Sequence, residues 1–244
     1  MYPKIFFENF WDNKQRNELF VCMPFDNLFD EKFEKIRLAA KYLGFEDAKM
    51  VKEDWAANEI TDKIIDGIAN SKTLLFDLSD DPNYPLPNEN VLYELGIATA
   101  VRESNDILLI REGNEKDLGK VPFDVKGLII NFHTKNNFTS EWFGEKLKKV
   151  VENQKWYKSR RTIKTSQLLD EFGLILVNKF GLKRQHFNTH NLSMEEKISA
   201  LRLLDIGLIW FAVEIKDNRI EWAYHWTDFG YEVAKILEEL KRNY

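Results

Sequence analysis

Thr73-Leu74-Leu75-Phe76-Asp77 is an apolar run that ends in a carboxylate, and Asn88-Glu89-Asn90-Val91-Leu92-Tyr93-Glu94-Leu95-Gly96-Ile97-Ala98 follows it after one loop. The first stretch is short, apolar and bounded by turn residues, which predicts a buried strand. The second predicts a helix. Asn88, directly after Pro87, has the side chain an N-cap needs, and Val91, Leu95 and Ala98 recur at helical spacing as an apolar face. Asn90 and Glu94 stand four apart on one face of that helix. Gly96 inside it costs about 1 kcal/mol relative to Ala, which predicts close approach of another backbone or a ligand there. A strand that runs straight into a helix belongs to an open α/β sheet, where ligands bind beyond the carboxyl ends of the strands. Asp77 at the strand end and Glu94 in the first turns of the helix are therefore both expected at that crevice.

The pattern repeats outward from this unit. Leu19-Phe20-Val21-Cys22-Met23, closed by Pro24, predicts the first core strand, and Phe29, Phe33, Ile36, Ala40 and Leu43 mark a helix that Gly44 stops. Phe45 begins a weaker strand, and Ile60, Ile64 and Ile68 mark a second helix. Ile107 to Ile110 and Gly127 to Ile130 predict two more strands, followed by a helix over 140–152. Strands alternating with helices imply a parallel sheet covered on both faces. With right-handed crossovers, the fold class is α/β with a doubly wound, flavodoxin-like sheet over residues 1–155. Two charged or proline-rich loops, 79–87 and 111–124, follow strand ends and are candidate functional loops.

A basic stretch over 156–165 reads as a linker. Residues 166–244 then show two helices, a pair of strands around Asp217-Asn218, and a last helix capped by Thr227 or Asp228. Ser193 and Glu196 have capping-box spacing. The order helix, helix, hairpin, helix predicts a smaller, winged-helix-like α+β domain.

The net charge of −5 is unevenly spread. Residues 1–155 hold 21 basic and 28 acidic side chains, and residues 156–244 hold 14 and 12. The acidic first part makes a poor nucleic-acid surface, and the second leaves DNA binding open. The helix from Met194 to Leu204 offers only Lys197 and Arg202 as basic readers, whereas Trp210, Trp222 and Trp226 favour a packed module or a protein interface. We therefore expect a homo-oligomer or protein partner ahead of DNA. The single cysteine, Cys22, and the absence of a signal-peptide pattern or an apolar run of about 18 residues fit a cytoplasmic chain without a membrane partner. His186 and His190 lack the companions of a zinc set, and His133 and His225 stand isolated.

Three pieces in order, Phe20-Val21-Cys22-Met23-Pro24-Phe25-Asp26, Phe76-Asp77-Leu78-Ser79-Asp80 and Asn88 to Gly96, resemble the nucleoside 2-deoxyribosyltransferase-like, or TIR-like, family over residues 19–123. The resemblance implies a flavodoxin-like sheet and action on N-glycosidic bonds of nucleosides, nucleotides or NAD. Some members serve in anti-phage defence. It places the family's glutamate on Glu94 and its strand-end aspartate on Asp77, and has Met23, Pro24, Phe25 and Asp26 line the ribose or phosphate side. It implies no cofactor beyond NAD as a substrate, and no metal. Asn88-Glu89-Asn90 departs from the Asp-Ser-Gly or Asp-Gly-Thr element of the transferases, so hydrolysis is expected over transfer between bases. Physically, a carboxylate beside a sugar losing its base stabilises the oxocarbenium or forms a sugar ester. Asn88 and Asn90 would contact substrate, and Tyr93 would stack on a base. The bland alternatives are that Asp77 caps the following loop, that Glu94 complements the helix dipole, and that the crevice binds a nucleotide signal without turning it over.

Overall fold

The first core strand, β1 (Arg16–Cys22), is buried along both faces, as its unbroken apolar run requires of a parallel strand. The computed structural model describes residues 15–24, 29–51, 57–81, 84–121, 125, 127–216 and 219–242. After β1 come α1 (Asp30–Tyr42), β2 (Asp47–Lys49), α2 (Ala57–Asn70) and β3 (Ser71–Asp77). Then follow β4 (Asp80–Asp81), β5 (Tyr84–Pro87), α3 (Glu89–Val101), β6 (Ile107–Glu112), β7 (Ile130–His133) and α4 (Ser140–Gln167). The main sheet has five parallel strands in the order β2-β1-β3-β6-β7. Counted within that sheet the order is 2-1-3-4-5, that of flavodoxin-like proteins, with the strand order reversing between β1 and β3.

Each face of the sheet has its own core. Leu19, Val21 and Leu75 pack with Ile36 and Ala40 of α1 and with Phe143 and Leu147 of α4. Phe20, Cys22, Leu74 and Phe76 pack on the other side with Ile68 of α2 and with Val91, Leu95 and Ala98 of α3. Gly67 lets α2 lie flush on β1, because a Cβ there would stand 2.2 Å from the Phe20 ring. At the amino end of β3 the polar groups close on one another. The Gln154 amide donates to Thr73 Oγ1 and to Asp106 Oδ1, and Arg102 pairs with Asp106 and donates to the Ile68 carbonyl.

Three expectations change. The apolar run ending at Ile130 enters the ladder only at its last residue. The strand runs on to His133, pairing Ile130 with Leu109 and His133 with Glu112, while Ile129 is 86 % exposed. The proline-rich loop over 79–87 contains the antiparallel pair β4–β5. The basic stretch expected as a linker is helical and belongs to α4, since no Gly or Pro interrupts residues 145–167.

The chain divides into two compact units, residues 1–155 and 156–244. In the second, α5 (Glu171–Leu176) is capped by Asp170 and runs into a π-helical turn at Val177–Gly181. Then come α6 (Met194–Asp205), the antiparallel pair β8 (Ile209–Lys216) and β9 (Arg219–Trp226), and α7 (Asp228–Arg242). Ser193 and Glu196 form the expected capping box, and Thr227 Oγ1 accepts from Gly230 N to cap α7. Leu176, Val177, Leu203, Leu208, Trp226 and Val233 form the core of this unit.

Candidate functional site

The carboxyl ends of β1, β3, β6 and β7 carry the candidate chemistry. Asp77 closes β3 and is wholly buried. Alternation along the strand sends it to the same face as Thr73 and Leu75, toward α1. Lys32, in the first turn of α1, meets its Oδ2 at 2.5 Å. Its Oδ1 accepts from Ser79 N at 3.0 Å and from Ser79 Oγ at 2.5 Å. Burial alone would raise this carboxyl, but Lys32 and the Ser79 bonds outweigh it and hold Asp77 below the ordinary carboxylate range. Ser79 Oγ also accepts from Glu112 N at 2.8 Å, tying the loop to β6. Arg111, fully buried at the end of β6, donates to the Leu78 carbonyl and pairs with Asp80 at 2.5 Å.

Beside this network lies a cavity of about 600 Å³. Lys32 and Ser79 face it, with Phe29, Phe138 and His133 on its apolar side and Lys35, Asp80, Glu112, Asp117, Lys120 and Lys135 among its charged walls. His133 is buried, and its ring packs on Phe138 and Trp142. Burial, reinforced by the Lys32 ammonium, lowers its pKa to about 4, against the pull of Asp77 and the Thr134 carbonyl. Its imidazole is therefore neutral near pH 7.

Glu94 lies on the other side of the sheet. It is 7 % exposed on α3, next to the α2–α3 face core, and accepts from the thiol of Cys22, the last residue of β1. Burial raises its carboxyl above the ordinary value, only partly offset by the thiol bond. Burial, with Glu94 adding to it, also pushes the Cys22 thiol well up. Glu94 thus stands by the reversal point between β1 and β3, where an open α/β sheet places its ligand crevice.

The structure does not bring Glu94 and Asp77 together. They serve opposite faces, and both Asp77 oxygens are engaged by Lys32 and Ser79, so Asp77 fixes the loop after its strand. Met23 and Pro24 are buried, with Met23 inside the α1–α4 core, where it has no free surface for a ligand. Phe25 and Asp26 lie outside the described residues. Asn88 is the N-cap of α3, accepting from Asn90 N and Val91 N. Asn90 is exposed, Tyr93 is 62 % exposed, and Gly96 has open space where a Cβ would stand, so no backbone approaches it. Lys32, Arg111, His133 and Phe138 were not expected here. A positional signal existed for Lys32, which opens the helix after the first strand, whereas His133 reaches a strand end only through the offset of β7. Among the described residues, no cluster of three His, Cys, Asp or Glu side chains could hold a metal ion.

No family model matches the chain, and no curated protein or solved structure matches it either.

Two outcomes are expected. Lys32→Met leaves Asp77 buried and uncompensated and should cost about 3–5 kcal/mol in urea unfolding. Lys32→Met combined with Asp77→Leu should recover most of it, and a double variant as unstable as the single one would contradict the pairing. Glu94 has the opposite sign to a salt-bridged carboxylate. With its folded pKa raised, its contribution is full below the unfolded value and is lost as pH rises through the folded value. Glu94→Gln should therefore gain thermal stability relative to wild type as pH goes from 4 to 7, and a gap that stays flat or narrows would contradict a desolvated carboxylate.

Proposed function

We propose that residues 1–155 form an N-glycoside hydrolase that cleaves the base–ribose bond of NAD or a nucleoside monophosphate, as the nucleoside 2-deoxyribosyltransferase-like resemblance implies. The observation that carries this reading is Glu94, a buried carboxyl with a raised pKa at the β1/β3 reversal point. In the reaction the C1′–N bond breaks and its electrons leave with the base. The Glu94 carboxylate stabilises the oxocarbenium or bonds to C1′; water then adds at C1′, releasing the carboxylate, and its proton passes to the departed base of a monophosphate or, with NAD, to solvent. Asp77, committed to Lys32 and Ser79, positions the loop between β3 and α3 in this scheme. An anti-phage role would follow from consumption of a shared nucleotide.

A second reading is a nucleotide sensor without turnover, favoured by the cavity that lies away from Glu94. The deciding assay incubates the protein with NAD and with nucleoside monophosphates and follows free base by chromatography. Wild type should release base, and Glu94→Gln should release it about a hundredfold more slowly or less. Equal release by both proteins would remove Glu94 from the chemistry, and saturable binding without product would favour the sensor.

For residues 156–244 we propose a winged-helix-like module that contacts protein, a second copy of this chain or another partner, rather than DNA. Met194, Ile198 and Leu201 make an exposed apolar stripe along α6, and Phe211 and Trp222 are exposed on the hairpin. A DNA-reading helix would carry basic and amide side chains instead. Light scattering on Ile198→Glu should show a smaller assembly than wild type. A monomeric wild type would remove a second copy as the partner, and a salt-sensitive shift of duplex DNA by the full chain would overturn the assignment to protein.

A further inference from the structure

The cavity on the α1–α4 face has a floor with an open bonding position. His133 is 2 % exposed, and its Nε2 has no hydrogen-bond partner among the described residues. Its Nδ1 lies 3.3 Å from the Thr134 carbonyl, which can only accept, so the proton belongs on Nδ1 and Nε2 presents a lone pair. A buried acceptor left unmade costs about 1–3 kcal/mol, and a donor brought by a ligand would recover it. The neighbouring ionic groups are largely spoken for. Lys32 is held by Asp77, Lys35 by Glu31, and Lys120 by Asp80 and Asp117. Two of the lining side chains are different. Among the described residues, Glu112 and Lys135 have no ion-pair partner.

The unmet demands of the cavity are thus two acceptors, His133 Nε2 and the Glu112 carboxylate, and one cation at Lys135. A matching ligand offers hydroxyl donors to the first two and an anionic group to the third. About 600 Å³ is in the usual range for a small-molecule site. We propose that this cavity binds a phosphorylated pentose, either free or as part of a nucleotide, at a site separate from Glu94. Its hydroxyls donate to His133 and Glu112, its phosphate pairs with Lys135, and the sugar ring lies against Phe138. The neutral imidazole held by burial keeps the floor an acceptor through the physiological range.

Calorimetric titration of the full chain tests this with ribose 5-phosphate, ribose and inorganic phosphate, and with adenosine monophosphate in the Glu94→Gln background so that no turnover intervenes. At least one of the two esters should bind at one site per chain, at least tenfold more tightly than ribose or phosphate alone. Ribose 5-phosphate binding as tightly as the nucleotide identifies a sugar-phosphate site, and nucleotide binding alone identifies a nucleotide site. Lys135→Glu, an exposed change that leaves the core intact, and His133→Phe should each weaken binding at least tenfold, while Glu94→Gln should leave ribose 5-phosphate binding unchanged. The assignment is overturned if neither ester binds, or if phosphate alone binds as well as the esters. It is equally overturned if binding survives Lys135→Glu but is lost in Glu94→Gln.

Discussion

The central strand β3 is covered on both faces, and its side chains must alternate between two separate cores. Leu74 and Phe76 go to the α2–α3 side, and Thr73, Leu75 and Asp77 to the α1–α4 side. Asp77 is consequently a carboxylate with no access to water. Such a group needs a counter-charge and hydrogen bonds to remain ionised. Lys32 supplies the charge from α1, and Ser79 supplies two donors from the loop that follows. The rest of the carboxyl edge follows from that requirement. Ser79 is pinned against the backbone of Glu112, Arg111 reaches under the loop to Leu78 and Asp80, and the position of Lys32 sets one wall of the cavity.

Polar groups are buried at both ends of the sheet, and at the amino end Ser71 Oγ has no hydrogen-bond partner among the described residues. At the amino end, Thr73, Gln154, Asp106 and Arg102 engage one another and nearby carbonyls. Satisfied networks of this kind hold elements in register. At the carboxyl end, the buried His133 Nε2 has no partner among the described residues, and the buried Glu94 carboxyl accepts from the weakly donating Cys22 thiol. Native interiors leave few such positions, and those left open call for an explanation. Binding and chemistry supply one, and they fall on the edge where α/β sheets place their ligands. Glu94 and His133 lie on opposite faces of the sheet, so the proposed glycosidic chemistry and the proposed pentose phosphate binding occupy separate sites.

Much of the fold was legible because burial on both faces writes itself as unbroken apolar runs, as at Leu19–Cys22 and Leu74–Phe76. The caps were legible for a related reason, since Asn88, Ser193 and Thr227 act within three residues of themselves. The offset of β7 was not legible. Leu128, Ile129 and Ile130 are equally apolar, and only pairing with β6 selects Ile130 as the first residue of the ladder. The helical course of residues 156–165 was obscured by composition, because a basic run suits a solvated helix as well as a linker.

From the sequence alone came a parallel α/β sheet, a carboxylate at the end of its central strand, a second one early in the next helix, and a smaller unit after residue 155. These depend on local spacing and on which residues avoid water, and both are properties of a one-dimensional string. Tertiary structure decided which groups meet. Asp77 and Glu94, only 17 residues apart in the chain, are separated by the sheet itself. Lys32, Ser79 and His133, drawn from three distant segments, line one cavity, with Asp77 buried behind Lys32. The physical reason is that strand alternation and crossover direction assign each side chain to a face, and facing groups set each other's charge, pKa and open valence.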